Sequence, residues 1–89
     1  MNNSMEINYN SIFFGKKERR NVWNMPVHDH NYDEIYYLVD GNVNYFIDNK
    51  SYKFKTGCMA FIPGGALHKT YSGDDFYHNE FVMNFPRNF

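Results

Sequence analysis

Cysteine is nearly absent from this chain of 89 residues, which contains only Cys58. A single thiol cannot form a disulfide within the chain, and this scarcity is compatible with a reducing, cytosolic setting. The longest apolar run falls far short of the roughly 20 residues that a membrane-spanning helix needs. The N-terminus also lacks the basic and apolar regions of a secretory signal. We therefore expect a cytoplasmic protein that makes no contact with a membrane.

Excess charge of either sign is missing as well. The formal net charge is −1 and the sequence pI is about 6.4. Neither value suggests a basic surface that binds nucleic acid. Residues 16–20 form the one dense basic run, and we interpret it as a solvated hairpin between two strands rather than as a contact for DNA phosphates. We expect no direct contact between this chain and nucleic acid.

Apolar residues at helical spacing are the third absence, and short strand-like runs are present instead. The 9 Phe, 8 Tyr and 1 Trp supply large apolar areas for the one small domain that this length allows. Strand-like runs separated by turn signals every 8–12 residues or so are typical of an all-β sandwich or barrel. We predict turns at residues 40–42 and 48–49. The predicted strands are 12–14, 21–23, 35–39, 43–47, 51–55, 58–62, 67–71 and 77–85.

The candidate chemistry lies in a cluster of histidines and a glutamate. His28, His30 and Glu34 stand at even spacings, which places them on one side of a strand if no bulge intervenes. His68 comes from a distant strand, which a barrel could bring opposite. Three imidazoles and one carboxylate suit a divalent ion of Zn, Fe, Mn, Ni or Cu and leave coordination positions open.

Two ordered motifs carry a family resemblance. They read His28-x-His30-x3-Glu34-x6-Gly41 and, after 15 intervening residues, Gly57-x5-Pro63-x-Gly65-x2-His68. Together they resemble the two motifs of the cupin superfamily, although Val22 and Ser72 stand where that pattern has Gly and Asn. The resemblance implies a small single-domain cupin, a double-stranded β-helix or jelly-roll barrel. It also implies that the metal ligands are His28, His30, Glu34 and His68.

Residues 28–85 are also similar to the N-terminal ligand-sensing domains of arabinose-regulator (AraC) type transcription factors. The similarity implies that the chain binds a small-molecule effector, forms a homodimer and is not an enzyme. Such regulators reach DNA through a C-terminal helix-turn-helix domain. We therefore expect residues 1–89 to be a single sensor domain, with its core at 21–85, that lacks this second domain. The expected effector-binding residues are His28, His30, Glu34, Tyr36 and His68.

Several alternatives stay open at this point. The cluster could bind a metal, or the motif could persist for its turns while the metal site is idle. Tyr36, Trp23 and Tyr32 could line a pocket, but aromatics of a small barrel are more often core. His78 receives no role. The rival function is a stand-alone metal-dependent cupin enzyme, such as an isomerase or dioxygenase, and a third is a dimerisation module.

Overall fold

The computed structural model describes residues 3–9, 11–20, 24–72 and 77–87. This part of the chain forms seven strands and no helix, so the prediction of an all-β chain is confirmed. The described residues therefore contain no helix that could cross a membrane. The strands are β1 (Asn3–Tyr9), β2 (Ile12–Arg19), β3 (Tyr32–Ile47), β4 (Lys50–Lys55), β5 (Met59–Ile62), β6 (His68–Ser72) and β7 (His78–Pro86).

Strand β3 is the longest and belongs to two sheets. Its first part pairs with β7 on one side and β5 on the other, and its second part pairs with β4 and β6. Strands β2 and β1 extend the first sheet beyond β7. The larger sheet therefore has the order β1-β2-β7-β3-β5, the smaller sheet has the order β4-β3-β6, and all pairs are antiparallel. This is a jelly-roll arrangement.

The sequence predicts a tight turn at residues 40–42, and this prediction is wrong. Strand β3 continues through these residues and bends at a bulge between Leu38 and Asp40. Gly41 has a φ of +104°, and a Cβ there would overlap the Tyr77 carbonyl oxygen and lie 2.9 Å from the Cα of His78. The bend passes the strand from one sheet to the other without reversing it. The reversal comes at Asp48 and Asn49, whose positive φ values suit a two-residue hairpin, so that prediction is confirmed.

The later strands follow the sequence prediction closely, and the first part of the chain does not. Strands β4 to β7 lie within about one residue of the predicted ranges. Strand β2, however, runs on through residues 16–19, so the solvated hairpin predicted for the basic run is wrong. Strand β1 was not predicted, and residues 21–23 lie outside the described part of the chain.

The barrel interior is as polar as it is apolar. Glu34, Tyr36 and Leu38 are all buried, which confirms that alternate residues of β3 share the inner face. The buried apolar residues are Tyr36, Leu38, Val43, Tyr45, Ile62 and Ala66. The buried polar residues are Arg19, Glu34, His68, Thr70, His78 and Glu80. Because burying polar groups costs free energy, an interior of this kind indicates a site rather than a plain core.

Candidate metal centre and barrel cavity

Backbone hydrogen bonds bring the two histidine motifs together. His28 lies in an irregular segment before β3, where its N–H donates to the carbonyl of His68 at 3.0 Å and its carbonyl accepts from His68 at 2.9 Å. The N–H of Gly65 donates to the carbonyl of His30 at 2.8 Å, and Gly65 has a φ of +90° that favours glycine. A reciprocal pair of bonds and a glycine turn therefore hold both motifs in one register.

The rings of His28, His30 and His68 converge on one point. Their centroids lie 4.3 Å (His28–His68), 4.7 Å (His30–His68) and 5.9 Å (His28–His30) apart. One candidate ligand nitrogen from each ring lies within 4.8 Å of the other two. His28 and His30 are not in a regular strand, but their side chains lie on the same side of the chain, as predicted. This cluster is compatible with a single metal ion.

The tautomer of each ring follows from the hydrogen bond that its Nδ1 atom makes. Nδ1 of His28 lies 2.9 Å from the Pro26 carbonyl, and Nδ1 of His68 lies 2.8 Å from the Ala66 carbonyl. Nδ1 of His30 lies 3.1 Å from the Tyr32 carbonyl. Because a carbonyl oxygen only accepts, we infer that each Nδ1 carries the proton and each Nε2 keeps a lone pair.

Two of these Nε2 atoms have no hydrogen-bond partner within the described residues. They belong to His30 and His68, and both are buried. Burial lowers the pKa of His68, which favours the neutral ring that a metal requires. A buried acceptor without a partner costs free energy. A metal ion at the centre of the cluster would remove this cost, so the residues fit the ion that the motif implies.

Glu34 stands beside the cluster and contacts it through His30. Its Oε1 lies 3.4 Å from His30 Nε2, and the Tyr45 hydroxyl donates to its Oε2 at 3.4 Å. Burial raises the pKa of Glu34, which the nearby His30 partly opposes. The mutually close set contains the three histidines alone, so the role of Glu34 as a fourth ligand stays a prediction.

A partly open cavity of about 160 Å³ adjoins the cluster, and His28, His68, Glu34, Tyr36 and Tyr45 are among its lining residues. Phe13 and Asn84 line both this cavity and a larger, more open one of about 800 Å³. Tyr32 lines the outer cavity and stacks on the His30 ring with centroids 3.8 Å apart. The two spaces therefore share part of their walls beside the histidine cluster.

Comparisons with known proteins agree with this geometry. Residues 21–77 match the family model described as the cupin domain. The chain belongs to the cupin family. A comparison with curated protein sequences finds no significant match.

Solved cupin-like structures share the fold at low sequence identity. A cupin superfamily protein from Desulfitobacterium hafniense has a TM-score of 0.84 and 10% identity over 97% of this chain and 78% of its own. KdgF from a Halomonas species has a TM-score of 0.79 and 12% identity over 98% of this chain and 81% of its own. The DMSP lyase DddQ from Ruegeria pomeroyi has a TM-score of 0.78 and 20% identity over 89% of this chain and 40% of its own. At these identities the likeness establishes the fold alone.

Sequence reasoning missed a buried ionic cluster in this cupin interior, and two of its members, Arg19 and Glu80, line the same cavity. Arg19 Nη1 lies 3.2 Å from Glu80 Oε2, and His78 Nε2 lies 3.3 Å from Glu80 Oε1. The hydroxyl of Tyr36 donates to the same Oε1 at 3.2 Å, so Tyr36 is both a core residue and part of the cavity wall. Burial alone would raise the pKa of Glu80, but His78 and Arg19 outweigh it and lower the pKa. Residues 16–19 are all charged, so their pattern gave no signal of this cluster.

Proposed function

We propose that this cupin domain binds a divalent transition metal ion, of Zn, Fe, Mn or Ni, through His28, His30 and His68. Glu34 would complete the set as a fourth ligand. The observation that carries the proposal is the convergence of three imidazoles whose Nδ1 atoms are already engaged by carbonyls, which leaves each Nε2 free to bind. When bound, the ion supplies open coordination positions for a ligand in the adjoining cavity.

We further propose that the domain senses a small-molecule effector for an AraC-type transcriptional regulator in the cytoplasm, and that it is not a catalyst. The support is the likeness of residues 28–85 to such sensor domains and the cavity beside the cluster. Residues 1–89 would be the sensor domain, with its core at 21–85. The effector would act by binding one of two states more tightly, and DNA would be reached through a helix-turn-helix domain outside this chain.

Metal binding is tested by elemental analysis of the purified protein and by titration with Zn²⁺. We expect close to one ion per chain in the wild type, and we expect His28→Ala to weaken affinity by at least about 100-fold. His78→Gln is the matched control, because His78 is the one histidine outside the cluster. Metal at far below one ion per chain, or equal losses in both variants, would contradict the proposal.

The regulator role is tested on the gene. We expect its reading frame to continue beyond codon 89 into a basic, helical segment with two helix-turn-helix units. A frame without such a segment would end the regulator proposal, while the metal proposal would be unaffected.

A metal-dependent enzyme is the second candidate. Two of the solved structures with this fold are KdgF and a lyase of DMSP, and three histidines with a nearby carboxylate leave room for substrate on an ion. In that case His28, His30 and His68 would hold the ion, while Glu34 would hold or release a proton beside the substrate. Elemental analysis without near-stoichiometric metal removes this candidate too.

We propose that the domain forms a homodimer through the outer face of its larger sheet. Alternate residues of the two outermost strands of this sheet are apolar and more than half exposed: Met5, Ile7, Tyr9, Met59 and Phe61. Exposed apolar faces of this kind mark association sites. In sedimentation experiments we expect a dimer that Ile7→Asp dissociates and that Leu67→Asp, outside this face, leaves intact. A wild-type monomer at high micromolar concentration would contradict the proposal.

A further inference from the structure

We infer that the cavity beside the metal centre selects a small carboxylate, and that the ammonium group of Lys17 is the cation that holds it. The inference rests on the proposed function, because it names the chemical class of the effector for the same cavity. One lysine of the basic run at residues 16–20 lies in the wall of this cavity.

Strand alternation separates Lys17 from its neighbours. Phe13, Lys17 and Arg19 line the partly open cavity together with His28, Glu34 and His68. Lys16 and Glu18 lie on the opposite face of β2, where they line a separate surface depression with Ser4. One residue of sequence therefore decides whether a lysine faces the cavity or the outer surface.

The charge of Lys17 is unmatched in the described part of the chain. Glu80 is its cross-strand neighbour, but both oxygens of Glu80 are already engaged. Oε2 faces Arg19, while Oε1 faces His78 and accepts from Tyr36. No carboxylate of the described residues makes an ion pair with Lys17. Lys17 is half-buried and lines the cavity, and a lysine without an acidic partner at such a place favours the entry of an anion.

The remaining charges of the cavity act in the same direction. Arg19 and Glu80 compensate each other at 3.2 Å, and Glu34 turns toward His30. A divalent ion at the histidines would add two positive charges to the one on Lys17, and Glu34 offsets only one of these. With the ion bound, the net charge around the cavity would therefore be positive, and it would favour an anionic ligand over a neutral sugar or amide of the same size.

The volume sets the size of this anion. The partly open cavity of about 160 Å³ is well below the roughly 300 Å³ at which pockets for drug-sized ligands begin. Tyr36, Tyr45 and Val82 give it partly apolar walls. The geometry points to a compact acid with a short carbon skeleton, with one carboxylate at Lys17 and a second polar end toward the histidines.

The test uses the full chain loaded with Zn²⁺. Isothermal titration calorimetry measures the binding of succinate, the probe, and of succinamide, its uncharged equivalent. We expect succinate to bind and succinamide to bind at least about tenfold more weakly. Lys17→Met should weaken succinate by at least about tenfold, because a charge-assisted contact is lost. Lys16→Met removes the same charge from the outer face and should leave the affinity within about twofold of the wild type.

Circular dichroism spectra of both variants establish that the sheet is retained. Equal succinate affinity in Lys17→Met and Lys16→Met would overturn the inference, as would equal binding of succinamide or no succinate binding by the wild type. The metal titration separates this failure from that of the proposed function. If Zn²⁺ binds normally but Lys17→Met does not weaken succinate binding, only the inference is overturned. Succinate that binds through Lys17 in a chain that takes no Zn²⁺ supports the inference and overturns the metal proposal.

Discussion

At the scale of single residues, the backbone prepares the candidate metal ligands. In each ring of the cluster, Nδ1 donates a hydrogen bond to a carbonyl two residues away along the chain, at Pro26, Tyr32 or Ala66. A local contact of this kind fixes the tautomer and the ring orientation before any ion arrives. The free energy lost by leaving buried Nε2 atoms without partners is then recovered only when a ligand binds.

The buried ionic cluster gives a prediction at the same scale. Glu80→Gln removes the carboxylate that faces Arg19, and both side chains are less than 10% exposed. We expect a loss of about 3 kcal/mol in the free energy of unfolding at pH 7, measured by urea denaturation. Glu18→Gln removes the charge from a pair with the exposed Arg20 but keeps a side-chain oxygen that can accept from the Tyr77 hydroxyl, and it should cost less than about 1 kcal/mol.

The pH dependence of the same variant follows from the lowered pKa of Glu80. A carboxylate with a lower pKa in the folded state stabilises the fold above its unfolded pKa, which is near 4.5, and loses that contribution as the pH falls. The difference in stability between the wild type and Glu80→Gln should therefore stay nearly constant from pH 7 to about 4.5 and shrink as the pH falls below that value. A difference that stays constant with pH would assign the effect to packing instead of charge.

At the scale of elements, the central feature is the corner in β3. The residues that resemble a hairpin turn, 40–42, instead carry the strand from the larger sheet to the smaller one, with a bulge before Gly41. This corner places Glu34 and Tyr36 in one sheet and Tyr45 in the other, so that Tyr36 and Tyr45 meet edge to face at 4.7 Å inside the barrel.

Substitutions at Gly41 and Gly57 distinguish two sources of lost stability, backbone strain and steric overlap. Gly41→Ala faces both a positive φ and the Tyr77 carbonyl, whereas Gly57→Ala faces a φ of +94° with open space around its Cβ. We expect Gly57→Ala to cost about 1 to 2 kcal/mol from backbone strain and Gly41→Ala to cost clearly more, about 3 kcal/mol or above. Thermal unfolding of the two variants measures the difference. Equal losses would mean that the close approach of β7 to the corner matters little.

At the scale of the whole molecule, polar side chains and a cavity take the place of part of the apolar core in this small barrel. The chain is short, and half of the buried residues named in its described part are polar. Chains of this length bury only about 60% of their unfolded surface, so their stability is marginal. Ligands that bind only the folded state then contribute a large share of the total free energy of unfolding.

Removal of metal should therefore be visible in the melting temperature. At a free Zn²⁺ concentration of about 100 times Kd, the ion adds roughly 2.7 kcal/mol to the stability. For a domain of this size we expect Tm to rise by about 10 °C or more and to fall back on addition of a chelator. His28→Ala should show little of this shift. A wild-type Tm that is indifferent to both metal and chelator would contradict the metal proposal.

Much of this architecture was predictable from the sequence, because its signals are local. Alternating polar and aromatic residues predicted β4, strand-like runs between turn signals predicted β5 to β7, the Asp48-Asn49 pair predicted the hairpin turn, and paired motifs predicted the cupin family. The resemblance to AraC-type sensors stays a prediction. The basic run failed as a prediction because composition alone cannot distinguish a solvated hairpin from a strand whose alternate residues enter a cavity.

The sequence by itself therefore determined the all-β class, the cupin family and the identity of the clustered histidines. Each depends on the types and spacings of residues along the chain. The tertiary structure decided which side chains share the interior: it joined Arg19 to Glu80, brought His68 against His28, and turned Lys17 inward while Lys16 faces out. Those pairings depend on strand register and on the bend at Gly41, which arise only when distant segments pack together.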